Sequence, residues 1–118
     1  MTETDISPTV LLTGPTSGIG AAMLDRLVEH PSRPHLVLMA RDAAALDRAL
    51  HNAHAAGLTA TGIPIDLTDL ASVRDALEAL AARIDAREIA PIDAALLNAG
   101  AQFIGRSKTG AQGYELTF

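Results

Sequence analysis

Three glycines, Gly14, Gly18 and Gly20, are spaced so that they could hold an anion against the protein backbone. They lie between an apolar run that ends at Thr13 and a helical pattern that continues to about His30. A tight turn from a strand into a helix leaves the first N–H groups of the helix unpaired, and the helix dipole attracts a phosphate to that end. Gly14 would allow the sharp turn, Gly18 the approach of the ligand, and Gly20 the close packing of the helix on the sheet. The spacing therefore predicts a cradle for a diphosphate.

A cation follows the second predicted strand, where the ribose of a bound dinucleotide would lie. Arg41 stands there between Ala40 and Asp42. Sites for NAD usually place an acid at this point to bind the ribose 2′-hydroxyl. An arginine could instead pair with a 2′-phosphate through charge-assisted hydrogen bonds. The residue therefore favours NADP(H) over NAD(H), and the alternative is an ordinary solvated arginine beside Asp42.

Two further motifs end the third and fourth predicted strands. Asp66 could accept a hydrogen bond from an adenine amine, with Leu67 as an apolar wall, or it could cap the following helix. The spacing leaves both roles open. The motif Asn98-Ala99-Gly100 offers small residues at a strand's carboxyl end, where open α/β sheets bind ligands. Taken alone, that motif is only a turn signal.

Alternating patterns of apolar residues predict the elements that position these groups. Strands are expected at 10–13, 35–40, 59–65 and 93–98. The first helix follows the glycine turn, the second begins near a cap at Asp42 and stops at Gly57, and the third begins after Thr68 or Asp69. The order β-α-β-α-β-α-β predicts an α/β fold, a Rossmann-like doubly wound parallel sheet with right-handed crossovers.

Pro64 indicates where the third strand lies in that sheet. Proline cannot donate a hydrogen bond to a neighbouring strand, so it favours an edge, although the strand could instead end before it. In the order 3-2-1-4 the third strand is an edge. The apolar run 92–97 suits a strand that is buried on both faces. Residues 101–113 resemble a loop and 114–118 the first turn of a helix, so the predicted fold is partial: four strands, three helices and a helix stub.

The composition limits the partners that the chain could have. It has 118 residues, a net charge of −5 and no cysteine. An acidic chain without clustered cations argues against nucleic acid or anionic membrane as a partner. No apolar run approaches the ~20 residues of a membrane span, and the histidines lack metal-binding spacing, so no metal is expected. We expect a cytoplasmic chain with a polar tail at 1–8 and one partial NAD(P)-binding domain at 9–118.

Together these motifs resemble the short-chain dehydrogenase/reductase family over nearly the whole chain. The family's glycine spacing, with three residues between the first two glycines, is present in Thr13-Gly14-Pro15-Thr16-Ser17-Gly18-Ile19-Gly20. The resemblance implies a hydride transfer between NADP(H) and a small carbonyl or alcohol substrate. It also implies that Ser17 and Ile19 line the pyrophosphate and nicotinamide, and that Asn98 supports the central strand. The implied coenzyme-binding residues are Gly14, Thr16, Ser17, Gly18, Ile19, Gly20, Arg41, Asp66, Leu67, Asn98, Ala99 and Gly100.

The residues with which that family transfers protons are not all present in this sequence. The family uses a tyrosine as general acid/base and a lysine four residues later. Here the one tyrosine is Tyr114 and the one lysine, Lys108, precedes it. No catalytic residue is assigned, and we expect the coenzyme-binding half of such an enzyme, without turnover by itself and with self-association through an exposed sheet edge. The alternative is an inactive nucleotide-binding or interaction module that a partner chain completes.

Overall fold

Seven secondary-structure elements alternate along the part of the chain that the structure describes. The structure is a computed structural model, and it describes residues 7–99. The elements are β1 (Thr9–Thr13), α1 (Gly18–Glu29), β2 (His35–Ala40), α2 (Ala43–Ala55), β3 (Ala60–Pro64), α3 (Leu70–Asp85) and β4 (Ala94–Leu97). Gly100, the loop expected at 101–113 and the helix stub expected at 114–118 lie outside the described residues, as do residues 1–6.

The strands form one parallel sheet in the order β3-β2-β1-β4. Leu11 of β1 pairs with Val37 of β2 on one side and with Ala95 of β4 on the other. Val37 pairs in turn with Thr61 of β3. This confirms the Rossmann-like α/β fold and the strand order that the sequence predicts.

Two apolar layers hold the helices on opposite faces of the sheet. Side chains alternate along a strand, so Leu12 and Leu38 pack on the side of α1 and α2, whereas Leu11 and Val37 pack on the side of α3. Every residue of β1 is buried, as expected for a central parallel strand that is covered on both faces. No helix among residues 7–99 is long and apolar enough to cross a bilayer.

Two of the three helices begin at a capping aspartate, whereas α1 does not. Asp42 caps α2 because its Oδ1 accepts the N–H of Ala44 at 3.0 Å, and Asp69 caps α3 in the same way through Ala71 at 2.9 Å. Ser17, the N-cap residue of α1, makes no side-chain cap hydrogen bond. The first turn of α1 therefore keeps backbone N–H groups that no capping side chain satisfies.

β3 forms one edge of the sheet, and at two positions on its open side a backbone group that could pair with a further strand is already used or missing. Its ladder to β2 uses the Thr59 carbonyl and the Ile65 N–H, so Ala60 and Pro64 face the open side. His54 donates its Nε2 hydrogen to the Ala60 carbonyl at 3.0 Å, and proline has no N–H to leave unpaired. The strand extends to Pro64 at the edge, which confirms the edge interpretation of that proline.

β4 forms the other edge of the sheet among residues 7–99, and most of its residues are exposed there. Ala94 and Ala95 are exposed, and Leu97 keeps 77% of its surface. Leu96 alone of the four β4 residues is partly buried, against the layer that holds α1 and α2. The run suits burial on both faces, but among residues 7–99 no strand lies on the outer side of β4. An apolar run shows what environment a strand suits, whereas its burial depends on the neighbours that are present.

Candidate functional site

Gly14 fixes the turn between β1 and α1. Its φ is +68°, in the left-handed region that strains most side chains. Its N–H donates to the Met39 carbonyl at the end of β2 at 3.0 Å. An added Cβ would lie 2.9 Å from Ala99 Cα, beyond the end of β4. Both the backbone conformation and the packing between two neighbouring strand ends therefore require glycine.

The other two glycines of the motif have different surroundings. An added Cβ at Gly20 would overlap the carbonyl oxygen of Gly14 and lie 2.6 Å from Asn98 Nδ2, so α1 packs directly on the turn. Gly18 has a φ of +56°. Apart from its chain neighbours and the backbone of its own helix, no described residue has an atom within 4 Å of a Cβ added there. The space beside Gly18 is open, as the approach of a phosphate would require.

The residues between the glycines are mostly exposed. Pro15 is fully buried, whereas Thr16 and Ser17 are exposed. Ile19 keeps 73% of its surface although it is a large apolar side chain. The start of α1 therefore combines uncapped backbone donors, two exposed hydroxyls and one apolar surface.

Two hydrogen bonds tie the end of β4 to this turn. Asn98 Nδ2 donates to the Gly14 carbonyl at 3.3 Å, and the Ala99 N–H donates to the Thr13 hydroxyl at 3.0 Å. The sequence did not single out Thr13 for this role. A threonine at the end of a strand resembles any β-forming residue, and its partner lies 86 positions away, beyond the reach of a local pattern.

A second group of residues lies at the carboxyl ends of β2 and β3. Arg41 and Asp66 line an open cleft of about 490 Å³ together with Ile65 and Ser72; we call it the β3–α3 cleft. Leu67 is half-buried and packs against the apolar layer that holds α3. Only part of the Leu67 side chain is therefore free to form a wall for a ligand.

Asp66 is held by the turn that follows it. Its Oδ1 accepts the Thr68 hydroxyl at 2.6 Å and the Thr68 N–H at 2.9 Å, while its own N–H donates to Ser72 Oγ at 2.9 Å. The two bonds from Thr68, with the charge of Arg41, hold the pKa of the Asp66 carboxyl below its ordinary value, although partial burial opposes the shift. Neither Asp66 nor Thr68 caps α3, since Asp69 does so.

The candidate residues thus form two groups along the carboxyl edge of the sheet. The first surrounds Gly14 and includes Asn98 and Ala99, and the second contains Arg41 and Asp66. Gly100 lies outside the described residues. Within residues 7–99 no three histidine, aspartate or glutamate side chains are placed to hold a metal ion. The arrangement offers donors for an anion at one strand end and a cation with an ionised acid at the neighbouring ends.

The family model for short chain dehydrogenases matches residues 8–114, a stretch that contains both groups. The chain belongs to the short-chain dehydrogenase family. This membership confirms the resemblance that the glycine turn, Asp66-Leu67 and Asn98-Ala99-Gly100 indicate. The individual roles of these residues in coenzyme binding remain predictions.

Several solved structures share the fold of this short-chain dehydrogenase chain. An actinorhodin polyketide ketoreductase with NADPH is 31% identical at a TM-score of 0.68, over 90% of this chain and 38% of that one. A 3-oxoacyl (acyl-carrier-protein) reductase from Agrobacterium tumefaciens C58 with NADP bound is 30% identical at a TM-score of 0.63, over 81% of this chain and 34% of that one. L-sorbose reductase from Gluconobacter frateurii, complexed with NADPH and L-sorbose, is 25% identical at a TM-score of 0.66, over 92% of this chain and 38% of that one.

The matched region is a minor part of each of these proteins. This short-chain dehydrogenase chain spans between 34% and 38% of their lengths. Among curated protein sequences, none matches it. The comparisons therefore establish the fold and the family, and the three structures hold NADPH or NADP.

Proposed function

We propose that this chain forms the NADP(H)-binding part of an oxidoreductase that transfers a hydride between NADP(H) and a carbonyl or alcohol. The observation that carries the proposal is the start of α1. The start of α1 lacks a side-chain cap, and the space beside Gly18 is open. At Gly20 the helix packs on the glycine turn, at the carboxyl edge of the parallel sheet. The NADPH or NADP bound in the three related structures supports it.

The diphosphate of the coenzyme would bind at the start of α1. The N–H groups of Gly18, Ile19 and Gly20 lie in the first helical turn, where they have no partner within the helix. The helix dipole adds a partial positive charge at this end. The exposed hydroxyls of Thr16 and Ser17 lie next to these donors in the chain. The donor set and the open space at Gly18 fit an anion of this kind.

The adenosine half would bind at the ends of β2 and β3. Arg41 is exposed and would pair with the ribose 2′-phosphate. The ionised carboxylate of Asp66 can only accept hydrogen bonds, which matches the donor amine of adenine. The exposed part of Leu67 would contact the flat face of the base.

The nicotinamide half would lie against Ile19, whose exposed surface a ring would cover. When bound, the nicotinamide ring supplies or accepts the hydride. The residues of this chain would bind and orient the coenzyme, with Asn98 and Ala99 holding the turn beneath it. No tyrosine between residues 1 and 118 is followed by lysine four positions later, so we assign no proton donor within this stretch.

Fluorescence titration with NADPH and NADH tests the proposal. We expect Arg41→Ala to weaken NADPH binding about tenfold or more, the loss typical of a hydrogen bond to a charged group. NADH affinity should change little because NADH lacks the 2′-phosphate. Arg48→Ala is the matched control, since Arg48 is an exposed arginine on α2.

Two results would contradict these assignments separately. Equal losses of NADPH and NADH affinity in Arg41→Ala would remove the case for recognition of the 2′-phosphate. Failure of the unaltered chain to bind either coenzyme would overturn the proposed function.

A further inference from the structure

We propose that Thr68 is a positioning residue for the coenzyme's base: it holds Oδ1 of Asp66, so that Oδ2 faces the exocyclic amine of adenine. The inference rests on the proposed function, because it concerns the same coenzyme site. Thr68 itself would not touch the coenzyme. It would act through the orientation of the Asp66 carboxylate.

The geometry of the Asp66 carboxylate is asymmetric. Both hydrogen bonds from Thr68, from the hydroxyl at 2.6 Å and from the N–H at 2.9 Å, end on Oδ1. A hydroxyl bond of this length to a carboxylate is in the charge-assisted range. Neither of the two hydrogen bonds that lower the pKa of this carboxyl ends on Oδ2. One oxygen is therefore fixed, and the other keeps its capacity to accept.

The backbone of Asp66 is fixed as well. Its N–H donates to Ser72 Oγ at 2.9 Å, and its carbonyl accepts the Asp69 N–H at 3.1 Å. Since Asp69 supplies the cap of α3, the Asp66 carboxylate is not required to begin that helix. A carboxylate that is held in place but is not needed as a cap is available for a ligand.

The surrounding charges bear on the ionisation of Asp66. The Thr68 hydroxyl bond is the largest influence that lowers its pKa, followed by the Thr68 N–H and then the charge of Arg41. The other acidic side chains that line the same cleft are those of Asp69 and Asp75. Removing the Thr68 hydroxyl should raise the pKa of Asp66 toward its ordinary value, where the carboxyl is still ionised at neutral pH, so a loss of adenine recognition would come from the lost orientation of the carboxylate.

The experiment compares NADPH with its hypoxanthine analogue, in which a carbonyl replaces the adenine amine. The variants are Thr68→Val, which removes the hydroxyl at nearly constant volume, and Thr68→Ser, which retains it. We expect the unaltered chain and Thr68→Ser to bind NADPH roughly tenfold more tightly than the analogue, as for one hydrogen bond to a charged group. Thr68→Val should lose most of that discrimination.

A second measurement needs no ligand. The chemical shift of the Asp66 carboxyl carbon is followed by NMR as the pH is lowered. The pH at the midpoint of its change should be higher in Thr68→Val than in the unaltered chain, and it should be unchanged in Thr68→Ser. If Thr68→Val does not fold, as judged by circular dichroism, Thr68→Ala removes the same hydroxyl and takes its place.

Each outcome has a distinct meaning. Full discrimination in Thr68→Val, or an unmoved Asp66 midpoint, would overturn the positioning role. Equal affinity of the unaltered chain for NADPH and the analogue would also overturn it, while leaving coenzyme binding intact. Absence of binding to both would overturn the proposed function itself.

Discussion

Gly20 shows how a single atom limits the distance between α1 and the β1–α1 turn. In a helix, Gly→Ala ordinarily stabilises by about 1 kcal/mol. At Gly20 the added Cβ would overlap the Gly14 carbonyl oxygen, and backbone cannot move aside as the end of a flexible side chain can. We therefore expect Gly20→Ala to lower the free energy of unfolding by about 3 kcal/mol, at the upper end of overpacking losses, as measured by urea denaturation.

Gly18→Ala is the matched control for that prediction. The space beside Gly18 is open, so the variant should suffer only the left-handed φ of +56°, a cost of about 1–2 kcal/mol. A smaller loss in Gly20→Ala than in Gly18→Ala would show that packing on the turn does not explain the third glycine.

Two buried threonines of β1 should respond in opposite ways to the same substitution. Thr9 Oγ1 is buried and has no hydrogen-bond partner among the described residues, whereas Thr13 Oγ1 accepts the Ala99 N–H. We expect Thr9→Val to raise the free energy of unfolding by about 1 kcal/mol, because an unsatisfied hydroxyl is replaced by a methyl group. Thr13→Val should lower it by a similar amount. Urea denaturation would measure both changes, provided that the m-value is the same in each variant. A lower free energy of unfolding in Thr9→Val would contradict this explanation.

At the scale of elements, local patterns identified every strand and helix among residues 7–99, because the signals that define them are local. Gly57 has a φ of +86° just beyond α2, and Asp42 caps the start of that helix. Strand ends moved by about one residue, as for the third strand, expected at 59–65 and observed at Ala60–Pro64. The glycine turn was also predictable, since its spacing directly reflects backbone geometry.

Three features could not be derived from the sequence because each depends on which of several possible partners a residue takes in the folded chain. The role of Asp66 stayed open because its spacing equally suits a cap, and the choice depends on Asp69 and Thr68. The Thr13 bond to Ala99 joins opposite ends of the described chain. The exposure of β4 depends on what lies beside it, which no property of its own residues determines.

The contrast between capped and uncapped helices gives a prediction at this scale. Asp42→Ala should lower the free energy of unfolding by about 1 kcal/mol, the usual loss for an N-cap, because the Ala44 and Ala45 N–H groups lose their acceptor. Ser17→Ala should change it by only a few tenths, since Ser17 makes no cap bond. Asp42→Asn keeps an acceptor and serves as the control. Equal losses for Asp42→Ala and Ser17→Ala would contradict this assignment of the caps.

At the scale of the whole molecule, the open edge at β4 should govern association of the 118-residue chain. Exposed strand edges with apolar side chains promote pairing between chains, and Leu97 keeps 77% of its surface. We expect sedimentation velocity to show self-association that Leu97→Lys reduces. Leu77→Lys is the matched control, because Leu77 is 51% exposed on α3 and the charge change is identical. A monomeric unaltered chain, or equal effects of the two variants, would contradict a role for β4.

The hydrogen bond from His54 to Ala60 and the missing N–H of Pro64 have a consequence for the size of such an assembly. These two features remove two of the backbone groups with which a further strand could pair at β3, so growth of the four-stranded sheet is disfavoured on that side. Two copies that meet through β4 about a twofold axis would form a continuous sheet with a blunted strand at each outer end. Growth beyond the pair would be disfavoured, since a fibre requires both edges of the sheet to accept a further strand.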